Sequence, residues 1–242
     1  MKQVEILQVK IDDIKKSDFL LDIKQKIKNN EKVKIFTINN EFIVEAQKNP
    51  EFKQALNNST YSIADSTGII WAAKRQGFKL EKLPGADLFY DLIKLAEENS
   101  LSIFLLGGSS GLGEKAVLKL KNKFPQIRVS GFKDGITINP NEENQALIDE
   151  INKTEPDLIF VSLGAPKQEL FITNNFDKLN AKLFIGVGGT IDFISGSKKR
   201  APEFLRKANL EWLFRLLIEP RRLRRILNAV VVFPLKVIFS GK

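Results

Sequence analysis

Short apolar runs that alternate with amphipathic segments constrain the fold of this chain more than any other feature. The runs at 101–108, 157–164 and 182–189 are apolar on both faces and close on glycine or polar residues. Strands of this kind belong to parallel sheets whose two faces are covered by helices. The alternation therefore predicts an α/β, Rossmann-like fold with a largely parallel sheet and helices on both faces, followed by a basic C-terminal helical appendage.

The predicted elements alternate along most of the chain. We expect strands at 4–11, 34–39, 61–65, 101–108, 127–132, 157–164 and 182–189. We expect helices at 18–29, 40–48, 66–77, 85–99, 111–123, 141–153 and 166–175. A Gly-Ser-Lys-Lys-Arg-Ala-Pro stretch follows this alternation, so we predict a Rossmann-like domain at 1–195 and a basic amphipathic appendage at 196–242.

Cysteine and histidine are both absent from the 242 residues. Their absence excludes a disulfide framework, a thiolate nucleophile, a Ser-His-Asp triad and metal sites built from these residues. Any general base must therefore be Asp, Glu, Lys or Tyr. We also expect no signal peptide and no transmembrane helix, since the N-terminus lacks an apolar core and no apolar stretch reaches about 18 residues.

The formal net charge of +9 lies entirely in the last fifth of the chain. Residues 196–242 hold 12 Lys and Arg against three Asp and Glu, so residues 1–195 are neutral. Such asymmetry indicates an anionic partner for the appendage, which could be a membrane surface, a nucleic acid or a phosphorylated substrate.

The apolar content of the appendage favours a membrane surface over a nucleic acid. Helical spacing places four apolar residues near one face, namely Leu216, Leu223, Leu227 and Val230. An amphipathic helix of this kind lies in the interface of an anionic bilayer, and the interruptions at Asn228, Pro234 and Lys236 argue against spanning. The alternative is a helix docked on the core or on another subunit, which would give a homo-oligomer off the membrane.

Small and polar residues occupy the predicted carboxyl ends of the strands. Ligands of open parallel sheets bind at these ends. The predicted binding residues there are Thr37, Asn39, Gln168, Gly107, Gly108, Gly188, Gly189 and Asp192. This set suits a polar ligand with phosphates or hydroxyls.

Each motif at these ends also has a purely structural interpretation. The glycines of GGSSGLG (107–113) can admit a phosphate or form a tight turn, and they match neither a dinucleotide fingerprint nor a P-loop. Asp65 can be a general base or a helix N-cap. Gln168 can bind a sugar or a base, or belong to a polar first turn, and Asp192 can cap a turn or hold an arginine.

No Asp-x-Asp occurs in the chain. A nucleotide-sugar enzyme that holds Mg²⁺ through that motif is therefore disfavoured, and we predict no metal and no cofactor. Arginines would then have to neutralise a bound diphosphate.

Several sequence blocks together resemble a known family. In chain order they are Thr37–Asn39, ADSTG (64–68), PGADL (84–88), LLGG (105–108), PDLIFVSLGAPKQE (156–169), GVGGTIDFISGSKKRAP (186–202) and LEWLFRLLIEPRR (210–222). The set covers nearly the whole chain and resembles the WecG/TagA/CpsF glycosyltransferase family.

The resemblance implies transfer of a sugar from a UDP donor to a lipid-linked acceptor. In the teichoic acid members, N-acetylmannosamine passes from UDP-N-acetylmannosamine to the 4-hydroxyl of N-acetylglucosamine on undecaprenyl diphosphate. This is the committed step in synthesis of the wall teichoic acid linkage unit, and it proceeds with inversion and without a metal. It implies a cytoplasmic enzyme that is peripheral on the inner face of the cell membrane.

The resemblance also suggests roles for individual residues. Asp65 would accept the proton of the attacking hydroxyl as general base. Arg221 and Arg224, with Arg215 as a third candidate, would stabilise the charge on the leaving UDP. Thr37, Asn39 and Gln168 would orient sugar hydroxyls, while the glycine loops would admit the nucleotide.

Other functions remain open at this point. A sister glycosyltransferase could use UDP-N-acetylmannosaminuronate or UDP-glucose. A nucleotide-dependent oxidoreductase is another option, although the glycine spacing argues against it. A non-catalytic membrane-binding protein or a nucleic-acid binder would explain the appendage but not the polar strand ends.

Overall fold

The centre of the molecule is a parallel sheet of six strands. The computed structural model describes residues 2–140, 142 and 144–240. Its strands are β1 (Lys2–Ile6), β2 (Val9–Asp13), β3 (Val33–Ile38), β4 (Tyr61–Ala64), β5 (Ser102–Gly107), β6 (Arg128–Lys133), β7 (Leu158–Ser162) and β8 (Leu183–Gly186). The sheet has the order β4-β3-β8-β7-β5-β6, with every neighbouring pair parallel. This confirms the predicted α/β, Rossmann-like fold.

Helices follow most of the strands. They are α1 (Lys16–Lys28), α2 (Asn40–Ala46), α3 (Pro50–Asn57), α4 (Thr67–Arg75), α5 (Gly85–Glu98), α6 (Gly113–Lys123), α7 (Gln145–Asn152), α8 (Lys167–Asn175), α9 (Thr190–Ser195), α10 (Glu203–Lys207), α11 (Glu211–Ile218), α12 (Leu223–Leu227) and α13 (Phe233–Phe239). A 3₁₀ turn at Pro220–Arg222 and a π-helical turn at Asn228–Val232 interrupt the last segment.

Alternate residues of the central strands face two separate apolar clusters. On β7, Leu158 and Phe160 belong to one cluster, while Ile159 and Val161 belong to the other. All four are fully buried, and burying each such side chain contributes about 1.5–3 kcal/mol. Helices cover both faces because both faces are apolar, as the continuous apolar runs predicted.

The single strand predicted at 4–11 is wrong. Leu7 and Gln8 both have positive φ, 49° and 66°, so the chain reverses there and β1 pairs antiparallel with β2 outside the main sheet. Two successive residues with positive φ are typical of a type I′ hairpin turn, which Gly and Asn normally form. Neither Gly nor Asn is present at this turn, so the sequence carries no turn signal there. The alternating apolar pattern therefore predicted one continuous strand.

Helix α3 was not predicted, although its start carries a recognisable signal. Pro50 is the first helical residue, and the Asn49 side chain accepts a hydrogen bond from the Phe52 N–H at 3.0 Å. An Asn cap followed by Pro at the first helical position is a favoured N-terminus. Helix α3 packs beside α8 and β2 on one face of the sheet.

The end of the appendage docks on the body. Phe233 and Val237 of α13 are buried in the same apolar cluster as α2 and α4. The Asn40 side chain donates to the Ala229 carbonyl at 2.8 Å. These contacts agree with the alternative in which the appendage docks on the core. The division into domains at 1–195 and 196–242 stays a prediction.

Candidate active site

A cavity of about 680 Å³ opens along the carboxyl ends of the strands. Its wall includes residues that follow β3, β4, β5, β7 and β8. From β4 to β5 this rim crosses four strand spacings, which is about 19 Å at 4.8 Å per spacing. A cleft of this length and volume accommodates an extended polar ligand with several functional groups.

Asp65 lies at the end of β4 and lines this cavity. Its backbone N–H bonds to the Ile38 carbonyl at 2.9 Å, and its carboxylate accepts the Gly85 N–H at 3.0 Å. Gly85 is the first residue of α5, so Asp65 contacts the N-terminus of α5 rather than capping the helix that follows it.

The environment of Asp65 favours its use as a base. Burial raises the pKa of the carboxyl to about 6, although the Gly85 N–H and the positive charge of Arg215 oppose the rise. A carboxylate with this pKa is ionised near neutral pH yet is a stronger base than an ordinary aspartate. Such matching between pKa and working pH is what general-base catalysis requires.

Thr37 and Asn39 border Asp65 on the adjacent strand end. Thr37 is buried beside Gly85, where an added Cβ would lie 2.8 Å from the Thr37 hydroxyl oxygen. Asn39 accepts the Phe42 N–H at 3.2 Å and so caps α2, while its side chain also hydrogen-bonds to Asp65. The structure brings these three predicted residues together.

The predicted glycines lie at the ends of β5 and β8. Gly107 and Gly108 have φ of 92° and 88°, and a Cβ on Gly107 would meet the Ser162 carbonyl oxygen at 2.5 Å. Gly108, Gly188 and Gly189 line the cavity, whereas Gly107 is buried behind it. A Cβ on Gly189 would meet no atom within 4 Å, so the backbone there is open to a ligand.

Asp192 holds two loops of the cavity in place. Its carboxylate accepts the Ser109 N–H at 3.0 Å and pairs with Lys198 at 2.9 Å. Burial works to raise the pKa of Asp192, but the Ser109 N–H and Lys198 outweigh it and hold the pKa below its usual value. The cation beside Asp192 is thus a lysine, where the sequence suggested an arginine or a cap.

Basic side chains from the C-terminal segment form one wall of the cavity. Among the described residues, those beyond 195 that line it are Lys198, Arg200, Arg206, Arg215, Arg222 and Arg225. Arg215 pairs with Glu211 at 2.7 Å and lies over the Phe193 ring at 5.5 Å. The arrangement places cations opposite a carboxylate and glycine loops, as binding of a phosphorylated sugar would require.

A model of the glycosyl transferase WecG/TagA/CpsF family matches residues 4–242. The chain belongs to this family. It is therefore a glycosyltransferase, and the sequence blocks that suggested the family surround the cavity.

Curated relatives cover almost the whole chain. A protein from Staphylococcus aureus (strain MRSA252) is 32% identical over 238 residues, which are 97% of this chain and 92% of the relative. A protein from Bacillus spizizenii is 33% identical over 195 residues, 80% of this chain and 74% of the relative. Both are named N-acetylglucosaminyldiphosphoundecaprenol N-acetyl-beta-D-mannosaminyltransferase.

The sequence suggested three arginines for stabilising the leaving group of this glycosyltransferase, and only Arg215 of the three lies in the cavity wall. Arg221 and Arg224 are exposed and lie outside it. Pro220 begins a 3₁₀ turn, which breaks the helical spacing and turns Arg222 and Arg225 toward the cavity. The catalytic role of Arg221 and Arg224 stays a prediction.

Gln168 joins the loops that follow β7 and β8. Its side-chain oxygen accepts the N–H groups of Gly164 and Gly188, each at 3.1 Å. Its side-chain nitrogen donates to Glu169 at 2.6 Å. Gln168 lines the cavity although it is almost completely buried, and its contact with a sugar stays a prediction.

Sequence reasoning missed Glu169. This side chain is completely buried, and its second carboxyl oxygen has no hydrogen-bond partner among the described residues. Burial raises the pKa of Glu169 to about 7, against the opposing hydrogen bond from Gln168. Its position within PKQE at the start of a helix resembles an ordinary solvated first turn, so the pattern carried no signal of burial.

Two further findings concern the surroundings of the site. Within residues 2–140, 142 and 144–240, no group of three or more Asp and Glu side chains forms a set of metal ligands, and the prediction of a metal-free site remains a prediction. Across the same described ranges, every helix is too short or too polar to cross a bilayer.

Proposed function

We propose that this glycosyltransferase moves N-acetylmannosamine from UDP-N-acetylmannosamine to the 4-hydroxyl of N-acetylglucosamine on undecaprenyl diphosphate. The names of the relatives support this donor sugar and this lipid-linked acceptor. The observation that carries the proposal is the position of Asp65, which shares one cavity with the glycine loops and the basic wall.

The reaction is a single in-line displacement. The acceptor 4-hydroxyl attacks the anomeric carbon of the donor while its proton passes to the Asp65 carboxylate. The bond between the anomeric carbon and the β-phosphate oxygen breaks, so the configuration inverts and UDP leaves. A free hydroxyl is too weakly acidic to ionise beforehand, so removal of its proton is concerted with attack.

The basic wall stabilises the charge that develops on the leaving UDP. Arg215 is the best-placed cation, because its side chain lines the cavity and lies over the ring of Phe193, on the helix that follows the glycine loop after β8. Arg222 and Lys198 lie in the same wall. Preorganised donors of this kind each contribute on the order of a hundredfold to the rate.

Membrane attachment of the appendage brings the site to its acceptor. Large apolar side chains of the appendage are exposed, namely Leu213, Leu217, Ile218, Leu223, Leu227, Val230, Val231, Leu235, Ile238 and Phe239. Arg221 and Arg224 are exposed among them. Apolar side chains mixed with arginine suit insertion into the headgroup region of an anionic bilayer, which supports a peripheral position of the enzyme on the inner face of the cell membrane.

Product analysis with three donors tests the proposal. The full chain is incubated with a short-chain lipid diphosphate carrying N-acetylglucosamine and with UDP-N-acetylmannosamine, UDP-N-acetylmannosaminuronate or UDP-glucose. We expect a β-1,4-linked disaccharide lipid from the first donor alone. Efficient transfer from either of the others, or from none, would overturn the proposed substrate.

Vesicle binding tests the membrane part of the proposal. We expect co-sedimentation with phosphatidylglycerol vesicles that weakens as salt rises, and little binding to phosphatidylcholine vesicles or to duplex DNA. Equal binding to DNA at the same salt would contradict a membrane-specific appendage. Size-exclusion chromatography without vesicles separately examines the predicted homo-oligomer.

A further inference from the structure

Two arginines share one carboxylate at the end of the cavity beside β4. The guanidinium of Arg200 lies 2.7 Å from Asp87 and that of Arg206 lies 3.7 Å from the same oxygen. Asp87 is in the first turn of α5, two residues after the Gly85 N–H that bonds to Asp65. The arginine pair is therefore adjacent to the proposed base.

The pair has more charge and more donors than its partner satisfies. Two guanidinium groups face one carboxylate, and the Nε atoms of both are buried without a hydrogen-bond partner among the described residues. The side chains of Arg200 and Arg206 remain 21% and 31% exposed in the cavity wall. Lys82 also lines the cavity and donates to the neutral side chain of Asn209 at 2.9 Å. The corner of the cavity that holds the arginine pair is suited to bind an anion.

The position of this corner separates it from the rest of the basic wall. Lys198 is bound to Asp192, whose carboxylate also holds the loop after β5, and the glycine loops lie on that side. An in-line displacement places the nucleophile and the leaving diphosphate on opposite sides of the anomeric carbon. A diphosphate attached to the nucleophilic sugar therefore belongs on the Asp87 side of Asp65.

Two large apolar side chains close to the arginine pair in the chain are exposed. Phe204 lies between the two arginines in sequence, on α10, and is 68% exposed. Trp212 lines the cavity and is 37% exposed. An isoprenoid or alkyl chain attached to a diphosphate bound at this corner could contact these two side chains, which offer little to a polar nucleoside.

We propose that Arg200 and Arg206 form a subsite for the diphosphate of the lipid-linked acceptor. The inference rests on the proposed function, since it assumes that both substrates carry a diphosphate. Planar guanidinium groups bind phosphate oxygens through paired hydrogen bonds. Asp87 holds the two arginines in place when the acceptor is absent.

Binding titrations test the subsite without requiring turnover. The full chain and its Arg200→Ala and Arg206→Ala variants are titrated with a short-chain alkyl diphosphate of N-acetylglucosamine, with the phosphate-free alkyl N-acetylglucosaminide and with UDP. We expect each variant to bind the diphosphate acceptor about 10-fold or more weakly, since a charge-assisted hydrogen bond is lost. Binding of the phosphate-free analogue and of UDP should stay within about twofold.

Asp87→Asn is the matched control. It keeps the shape of the side chain and removes the competing charge, so we expect it to bind the diphosphate acceptor at least as tightly as the unaltered chain. If the arginines only fasten the chain to α5, Asp87→Asn will weaken acceptor binding as much as the arginine variants do, and the subsite is overturned. Equal losses of UDP and acceptor in the arginine variants would also overturn it.

Lysine variants keep the test informative if an alanine variant does not fold. Arg200→Lys and Arg206→Lys retain the charge but lose the paired geometry, so we expect an intermediate loss of acceptor binding. A chain that binds as described but transfers no N-acetylmannosamine would contradict the proposed function and leave the subsite standing. Transfer with unaltered acceptor KM in all arginine variants would contradict the subsite alone.

Discussion

At the scale of single residues, the site contains two carboxyl groups whose burial raises their pKa values. Asp65 lines the cavity, and its raised pKa of about 6 suits the proposed proton transfer. Glu169 is completely buried beside Gln168, and this burial raises its pKa to about 7. The first is therefore suited to chemistry, and the second acts on stability and on the position of Gln168.

Glu169→Gln should stabilise the protein at alkaline pH. Because the folded-state pKa of about 7 lies above the ordinary 4.5, the stability that Glu169 contributes is full below pH 4.5 and is lost as pH rises through 7. Between pH 5 and pH 8 the loss is about 2 kcal/mol, which the neutral amide avoids. Denaturant unfolding at both pH values measures the difference.

The matched control for this prediction is Glu98→Gln on the surface. The Glu98 side chain is 58% exposed and lies 3.7 Å from Lys94, so its replacement should change stability by less than about 0.5 kcal/mol at either pH. If Glu169→Gln follows the same pattern as Glu98→Gln, the Glu169 carboxyl does not carry a raised pKa.

Sequence reasoning located the residues at strand ends better than the residues whose positions depend on contacts between distant parts of the chain. Asp65 and Asn39 follow apolar strands, so the geometry of a parallel sheet brings them together. Arg200 lies in the Gly-Ser-Lys-Lys-Arg-Ala-Pro stretch, which predicted only a domain boundary, and Asp87 lies in an ordinary first helical turn. Their pairing is a tertiary contact across 113 residues, which no local pattern encodes.

At the scale of elements, the loop after β5 depends on a glycine that has no room for a side chain. Gly107 combines a φ of 92° with a backbone oxygen 2.5 Å from the position of an added Cβ. Gly111 also has a positive φ, 74°, but no atom within 4 Å of its Cβ position. An alanine at Gly111 would therefore introduce backbone strain alone, whereas an alanine at Gly107 would introduce backbone strain and a steric clash.

Gly107→Ala should cost more stability than Gly111→Ala. The left-handed conformation alone costs about 1–2 kcal/mol for alanine, and Gly107→Ala must in addition displace the end of β7. We expect a larger drop in Tm for Gly107→Ala together with weaker UDP binding, and near-normal UDP binding for Gly111→Ala. Equal Tm values in calorimetry would mean that the β5 loop can relax around a methyl group.

The break at Pro220 explains why the arginine assignment from sequence and the structure differ. A continuous helix would keep Arg221 and Arg224 on one face, but Arg221 lies within the 3₁₀ turn, and a π-helical turn follows the short helix that contains Arg224. A turn signal at Pro is visible in the sequence. The sequence does not show which arginines this turn directs toward the cavity, because their orientation also depends on how α13 docks on the body.

Arg221→Ala and Arg224→Ala test whether the appendage rearranges on a membrane. If the membrane-bound appendage brings these two side chains to the leaving UDP, the kcat of each variant with acceptor in phosphatidylglycerol vesicles should fall on the order of a hundredfold. With a water-soluble acceptor and no vesicles, the loss should be much smaller. Equally small losses under both conditions would remove the two arginines from catalysis.

At the scale of the whole molecule, the appendage belongs to the core as well as to the site. Phe233 and Val237 are buried against the body, while Arg215 and Arg222 line the cavity. In the sequence, the charge pattern indicated an anionic partner, and the apolar content favoured a membrane-bound helix with a docked helix as the alternative. Which side chains are buried depends on the surface of α2 and α4, so the sequence left the two alternatives open.

Truncation after Ser195 should abolish transfer and lower stability. It removes the basic wall beyond that residue and exposes the apolar surface that covers Phe233 and Val237. Loss of those two buried side chains alone corresponds to about 3 kcal/mol or more. Transfer assays and urea unfolding of the truncated chain measure both effects, and full activity after truncation would contradict a role of the appendage in the site.

The role of Asp65 is tested most directly by the single-turnover transfer rate of Asp65→Asn beside that of the unaltered chain, from pH 5 to pH 8. The unaltered rate should rise tenfold per pH unit up to about pH 6 and then level off, because the base must be ionised. Asp65→Asn should be at least about a hundredfold slower, show no such rise, and bind UDP-sugar normally. Near-normal transfer by Asp65→Asn would contradict the proposed mechanism.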